Sequence, residues 1–390
     1  MSLQNAIFAG FCVAKALWQV EGQLVPKRNI GRRHIMMAGL RSIDAQGGIE
    51  THVRELATRL AERDVLVEVV ERKPYADVSK YQRREVDGVV RSPLWSLRSQ
   101  SFEAVSGTFA AVLWSAWRRP MVLHIHGIGP ALLTPLAKLL GLRVVVTHHG
   151  RDYNREKWGT IAKIALKAGE WSALTFADEV IAVSSRLSQE LSKTSSRNVH
   201  GIPNGVSKTA NSGTSTGGFD FPYILSVGRI VPEKRHLDLM RAFLAIDRGD
   251  VHLVIAGGAD HETAYSSEVQ RLASSSPHVH LLGAIPWVQV QKLYTDARLF
   301  VIPSTHEGLP IALLEAMASG CDVIASDISP HLEVGLPARA YFTVGDVNGL
   351  CEKLTEALDR PSNRVDWGAE LERFDWNTIV DQTMQVYGVS

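Results

Sequence analysis

The chain has 390 residues, 45% of them hydrophobic and 21% charged, with a formal net charge of +1. That length exceeds one ordinary domain and suits two substantial cores, while the composition excludes extensive disorder: a single short Ser/Thr/Gly tract is of low complexity. Three cysteines, Cys12, Cys321 and Cys351, are too few and too scattered for a disulfide scaffold or a metal-ligand set, and point to a reducing, cytoplasmic compartment. Cys321 follows Gly320 at the start of an apolar run and reads as a small core residue, not a nucleophile.

Charge is unevenly placed. Residues 1–200 hold 28 basic and 18 acidic groups, a surplus of +10, and residues 201–390 hold 14 and 23, a deficit of −9. The basic half carries no aromatic-interleaved nucleic-acid motif, so nucleic acid is not an expected partner; an anionic membrane surface fits better.

The first 31 residues read as an N-terminal extension. Ala6 to Val20 is apolar apart from Lys15 and Gln19, yet no basic residue precedes the run, no cleavage site stands out, and it is shorter than the roughly 20 residues a bilayer requires. It is either packed on the first domain or an interfacial anchor. From His34 onward, short apolar runs alternate with amphipathic segments, the pattern of a parallel sheet covered by helices. Strands are expected at His34 (HIMMAGL), Val65 (VLVEVV), Val122 (VLHIHG), Leu142 (LRVVVTHHG) and Glu179 (EVIAVS). In Ile49–Arg63, Val53, Leu56, Ala57 and Leu60 share one helical face.

SKTANSGTSTGG, from Ser207, reads as a flexible loop, after which strands resume at Tyr223 (YILSVG), Val251 (VHLVIAGG), Val279 (VHLLG), Leu299 (LFVIPS) and Asp322 (DVIASD). The expected organisation is therefore α/β: two Rossmann-like domains, at 32–203 and 204–375. Residues 376–390, with a helix at Asn377–Tyr387, either end the second domain or cross back to the first.

Open parallel sheets bind ligands beyond the carboxyl ends of their strands, so the residues after each run matter most. Gly47 and Gly48 precede a helix, where backbone N–H groups can meet a phosphate; tight turns use Gly-Gly as well. Arg229 and Lys234, five apart, can converge on a diphosphate, and Pro232-Glu233 looks like a helix start. In STHEGLPIALLEAMASG, Glu307 sits in a turn and Glu315 lies eight residues on, inside the next helix. The N–H groups of Gly308, Leu309 and Ile311 add donors for a sugar or phosphate. Favourable placement of acids near a helix N-terminus accounts for either glutamate, but not for Glu307, Gly308, Pro310 and Glu315 together.

This segment resembles the E-x7-E signature of retaining glycosyltransferases with the GT-B fold, family 4. The Gly-Gly loop, VLHIHG, ADEVIAVSS, IPNGV, SVGRIVPEK, AGG and HEGLPIALLEAMASG follow in that family's order over nearly the whole chain from His34. The resemblance implies a nucleoside-diphosphate sugar as co-substrate, with Arg229 and Lys234 on its diphosphate and Gly48 approaching from the other domain. It implies Glu307 on the sugar hydroxyls, Glu315 on the ribose, and His126 close to the reacting sugar.

HHGRDYNREKWG, from His148, resembles a stretch of bacterial transferases that build cell-surface polysaccharide, which puts His149, Arg151 and Asp152 on the acceptor side. The expected reaction moves a hexosyl group to an acceptor hydroxyl, on a saccharide or lipid-linked saccharide. It needs no cofactor and no metal, and no Asp-x-Asp motif is present. Front-face attack is the family's mechanism and Glu307 as covalent nucleophile the alternative; a nucleotide-sugar epimerase is the other enzyme class. Within Arg151–Lys167, Arg155, Lys157, Lys163 and Lys167 beside Trp158, Ile161, Ile164 and Leu166 suit a helix at an anionic membrane face; an ordinary packed amphipathic helix is the alternative.

Overall fold

The computed structural model describes residues 33–45, 47–76, 82–98, 103–155, 158–207, 218–246, 248–259, 262–361 and 363–389. The N-terminal extension with Cys12, most of the Ser/Thr/Gly loop, and Lys157 lie outside these residues. Eight strands form the first sheet: β1 (His34–Ala38), β2 (Leu66–Arg72), β3 (Arg84–Val86), β4 (Val89–Leu94), β5 (Val122–His126), β6 (Val144–His148), β7 (Glu179–Ala182) and β8 (Val199–Gly201). Their order is β3-β4-β2-β1-β5-β6-β7-β8. Six more form the second: β9 (Tyr223–Val227), β10 (His252–Ala256), β11 (Val279–Gly283), β12 (Leu299–Ile302), β13 (Asp322–Ser326) and β14 (Tyr341–Phe342), ordered β11-β10-β9-β12-β13-β14.

Strands β1, β5 and β6 are buried along their whole length, as apolar runs flanked on both sides must be. The helix Gly48–Glu62 buries Val53, Leu56, Ala57 and Leu60, the four residues its periodicity puts on one face. The antiparallel pair β3–β4 was not expected from the sequence. Asp87 (φ 52°) and Gly88 (φ 75°) form its turn, the two left-handed residues that a tight hairpin requires.

In the second sheet side chains alternate between two layers. Leu225, Val254 and Phe300 join one core with Leu313, Leu314 and Met317, while Ile224, Leu253 and Val301 join the other with Leu350 and Leu354. Burying each such side chain is worth about 1.5–3 kcal/mol, which anchors the helix Ile311–Ala318 behind the loop that follows β12. Cys321 belongs to the first of these cores; burial pushes its thiol up to about 12 and Sγ donates to Tyr294 O. It is a packing residue, as expected. The closing helix, Trp376–Tyr387, is capped by the Asp375 side chain and ended by Gly388 (φ 69°).

By contact the chain divides into two compact units, the residues up to His126 with Leu133–Val145, and Gly127–Leu132 with the residues from Val146 onward. The two sheets part elsewhere, between Gly201 and Tyr223.

Candidate active site

Within the second sheet, β9 and β12 are neighbours, and the chain runs outward from them in opposite directions. That reversal opens a crevice at their carboxyl ends, where ligands of such sheets bind. The loops 228–235 and 303–310 lie there. They are tied together: Thr305 N–H donates to Glu233 O at 2.9 Å. The first loop is also fastened to the turn after β10 by Gly228 N–H to Ala256 O and Ile230 N–H to Gly258 O. A Cβ on Gly257 (φ 146°) would lie 2.0 Å from Gly228 O, so the AGG sequence is needed for backbone contact.

The helix expected at Pro232-Glu233 begins later. Pro232–Lys234 is a 3-10 turn, and Arg235, at φ 52°, breaks it from the helix His236–Ala245. The left-handed residue turns the backbone so that Lys234 stays in the crevice. His236 is fully buried and bonds Arg229 O at 3.1 Å; burial pushes its pKa down to about 4, so it holds the Arg229 backbone as a neutral donor.

Lys234 Nζ reaches Glu307 Oε1 at 2.5 Å, and Ser304 Oγ donates to the same oxygen at 2.7 Å. Burial alone would raise the Glu307 pKa. The Lys234 charge, helped by His331 and by the hydrogen bonds from Lys234 and Ser304, outweighs it and brings the carboxyl down to about 2. Glu307 is therefore an ionised acceptor at neutral pH.

The N–H groups of Gly308, Leu309 and Ile311 donate to no group among the described residues. Asn204 Nδ2 donates to Leu309 O at 3.1 Å, which fixes the plane of that peptide. Glu315, in the second turn of the helix Ile311–Ala318, accepts from Tyr294 Oη at 3.2 Å. Burial and the Glu315 charge raise the Tyr294 pKa well above its usual value, so the phenol remains a donor.

The acceptor-side stretch splits. His148 is buried between Glu170 Oε2 (2.7 Å) and the N–H of Gly150 (3.2 Å). A Cβ on Gly308 would sit 1.9 Å from His149 O, so His149 reaches the Glu307 loop backbone to backbone. Arg151 instead pairs with Glu190 at 2.7 Å, and Asp152 with Arg155 at 3.0 Å. Arg155 also approaches Glu233 at 3.9 Å.

Gly48 and His126 belong to the first unit, and the other ten expected site residues to the second. Gly48 is exposed and opens a 15-residue helix. Its loop is shaped by Glu71, whose Oε1 accepts from Ser42 Oγ and Ile43 N–H, and by Glu50, which accepts from Arg41. His126 ends β5, fully buried, with the His124 ring 4.0 Å and the His52 ring 5.6 Å away. Burial, with His52 adding to it, pushes His124 down to about 3.

Ser304, Asn204, Tyr294 and Glu233 were not singled out from the sequence. Asn204 and Glu233 lie in stretches that carry the family resemblance, IPNGV and SVGRIVPEK, but nothing in those stretches marks their own chemistry; all four are recognised by what they touch.

Two family models match the chain: Glycosyltransferase Family 4 over residues 46–209 and Glycosyl transferases group 1 over residues 217–373. Alpha-maltose-1-phosphate synthase of Mycolicibacterium smegmatis is 27% identical over 345 residues, 80% of this chain and 81% of that one. A GDP-mannose-dependent monoacylated alpha-(1-6)-phosphatidylinositol monomannoside mannosyltransferase of Corynebacterium glutamicum is 33% identical over 38% of this chain and 41% of its own. Among solved structures, Anabaena Alr3699/HepE in complex with UDP-glucose superposes with a TM-score of 0.73 at 17% identity, over 91% of this chain and 99% of the other. The sheet order, the paired Lys234 and Glu307 at the strand crossover, and these matches agree: the chain belongs to the GT-B glycosyltransferases of the family 4 type.

Proposed function

We propose that the protein is a retaining hexosyltransferase that moves a sugar from a nucleoside diphosphate to a hydroxyl of a saccharide or lipid-linked saccharide in cell-envelope polysaccharide synthesis. The observation that carries this reading is the ionised Glu307 held against Lys234 beside three uncommitted backbone donors. As the bond from C1 to the diphosphate oxygen breaks, charge grows on the departing phosphate. Arg229, Lys234 and the N–H groups of Gly308, Leu309 and Ile311 stabilise it without reorganising. The acceptor oxygen bonds to C1 from the same face and passes its proton to the leaving phosphate oxygen.

Glu307 takes the sugar hydroxyls and Glu315 the ribose. A carboxylate whose basicity is lowered by Lys234 and Ser304 is a weak nucleophile and a good acceptor, which supports front-face attack over a covalent intermediate. His126 and the acceptor-side residues His149, Arg151 and Asp152 complete the reading. The epimerase alternative loses support, because both matching family models describe glycosyltransferases and the Corynebacterium relative is a mannosyltransferase. Incubation with labelled nucleotide sugars and acceptor, followed by the anomeric configuration of the product, tests it: an inverted product or an epimerised donor would refute the mechanism.

Because the cations are side chains, transfer is expected to survive EDTA. Loss of activity on chelation and its return with Mg²⁺ or Mn²⁺ would show the metal-free reading to be wrong.

Membrane docking is part of the proposal, on a smaller surface than the sequence pattern suggested. The helix runs Thr160–Phe176, so Arg151 and Arg155 lie before it, each already paired with an acid. What remains is Ile161, Ile164 and Trp171, 85%, 62% and 59% exposed, with Lys163 and Lys167. No helix among the described residues is long and apolar enough to cross a membrane, and this face suits lying on one. Binding to anionic vesicles is expected to fade with salt and to fall sharply in Ile161→Asp/Ile164→Asp. Equal binding to neutral vesicles at low salt would discard docking.

A further inference from the structure

Beside the Lys234–Glu307 pair stands a group that the reaction as described leaves unused. His331, on the short helix Ser329–Leu332 after β13, is fully buried. Its Nδ1 is 2.9 Å from the Ser326 carbonyl oxygen and 3.1 Å from Ser326 Oγ. The carbonyl can only accept, and the Oγ proton is committed to Ser304 O at 2.6 Å. The ring proton therefore sits on Nδ1, and Nε2 presents a lone pair.

Among the described residues Nε2 has no hydrogen-bond partner. Burial pushes the pKa of His331 down to about 4, against the pull of Glu307, so the ring is neutral at neutral pH. Glu307 and Lys234 are the charged groups that act on it. A buried acceptor without a donor is costly to keep, and this one lies among the groups that receive the donor.

We propose that His331 Nε2 accepts a hydrogen bond from a hydroxyl of the transferred sugar and thereby helps select that sugar. The proposal rests on the transferase reading above. A diphosphate offers no proton to a neutral imidazole, whereas every sugar hydroxyl does. Nε2 is buried, and Glu307 and Lys234 are near enough for their charges to act on the ring.

Two variants separate this from a packing role. His331→Asn keeps an N–H near Nδ1 for Ser326 O but has no acceptor at the Nε2 position, and His331→Gln places an amide oxygen there. Calorimetry with UDP, UDP-glucose, GDP and GDP-mannose gives, for whichever base binds, the ratio of sugar-nucleotide to nucleoside-diphosphate Kd. That ratio is expected to rise about tenfold in His331→Asn and to stay within threefold of wild type in His331→Gln.

Should His331→Asn fail to fold, deoxy-sugar nucleotides on the wild-type protein give a second reading. Removal of one particular hydroxyl should cost about tenfold, and removal of the others little. An unchanged ratio in a folded His331→Asn, an equal weakening of both ligands, or indifference to every hydroxyl would overturn the inference. Binding of none of the four probes would instead remove the transferase reading beneath it.

Discussion

Glu307→Gln and Lys234→Ala are each expected to lower the rate of transfer roughly a hundredfold, about 3 kcal/mol of transition-state stabilisation. Glutamine preserves the shape of Glu307 but not its charge: an amide oxygen in the place of Oε1 can still accept from Lys234 and Ser304, but it leaves the ammonium unneutralised and puts an NH₂ donor where the second carboxylate oxygen accepted. The two variants should differ in stability. Lys234→Ala strands a half-buried carboxylate beside Ser304, whereas Glu307→Gln leaves an ammonium with a route to solvent, so the lysine variant is expected to melt lower.

The Glu307 pKa is lower in the folded chain than its ordinary 4.5, at about 2. Its contribution to stability, on the order of 3 kcal/mol, is therefore complete above pH 4.5 and lost as pH falls toward 2. Wild type and Glu307→Gln should converge in stability over that window. Rates within threefold of wild type for both variants would remove the assignment.

Gly308→Ala is expected to be nearly as damaging although it changes no charge. Its Cβ would meet the His149 carbonyl oxygen at 1.9 Å, and both contacting groups are backbone, so one of the two loops must move by about 1 Å. Overpacking of this kind costs about 1–3 kcal/mol. A displacement of that size at the reacting centre can cost about a hundredfold in rate. A lowered melting temperature together with a lowered kcat and a weaker nucleoside-diphosphate affinity is the expected pattern, since the Gly308 N–H is one of the proposed phosphate donors. Unchanged kcat would mean that the two loops need not touch during turnover.

The repeating pattern of the chain determined a good deal by itself. Alternation of apolar runs with amphipathic segments specified two parallel sheets, because a strand buried on both faces must be apolar throughout. The 3.6-residue period identified the buried face of Gly48–Glu62, and local order in HEGLPIALLE placed Glu307 in a turn and Glu315 in a helix. Where the pattern was short or polar it was less legible. The Asp87-Gly88 hairpin joins strands of three and six residues, and a helix read from Arg151 begins at Thr160, after a 3-10 turn at Asp152–Asn154.

Only the tertiary structure decided which groups meet. Lys234 and Glu307 are 73 residues apart, and Tyr294 and Glu315 are 21 apart. The first pairing exists because β9 lies beside β12 in a sheet whose order is not its sequence order. Ser304, Asn204 and His331 carry no signal of their own chemistry, since a serine, an asparagine or a histidine after a strand is ordinary. Their roles come from the donor or acceptor left facing them once the backbone is folded, and hydrogen-bond satisfaction in a buried crevice is a property of the assembled fold, not of any one segment.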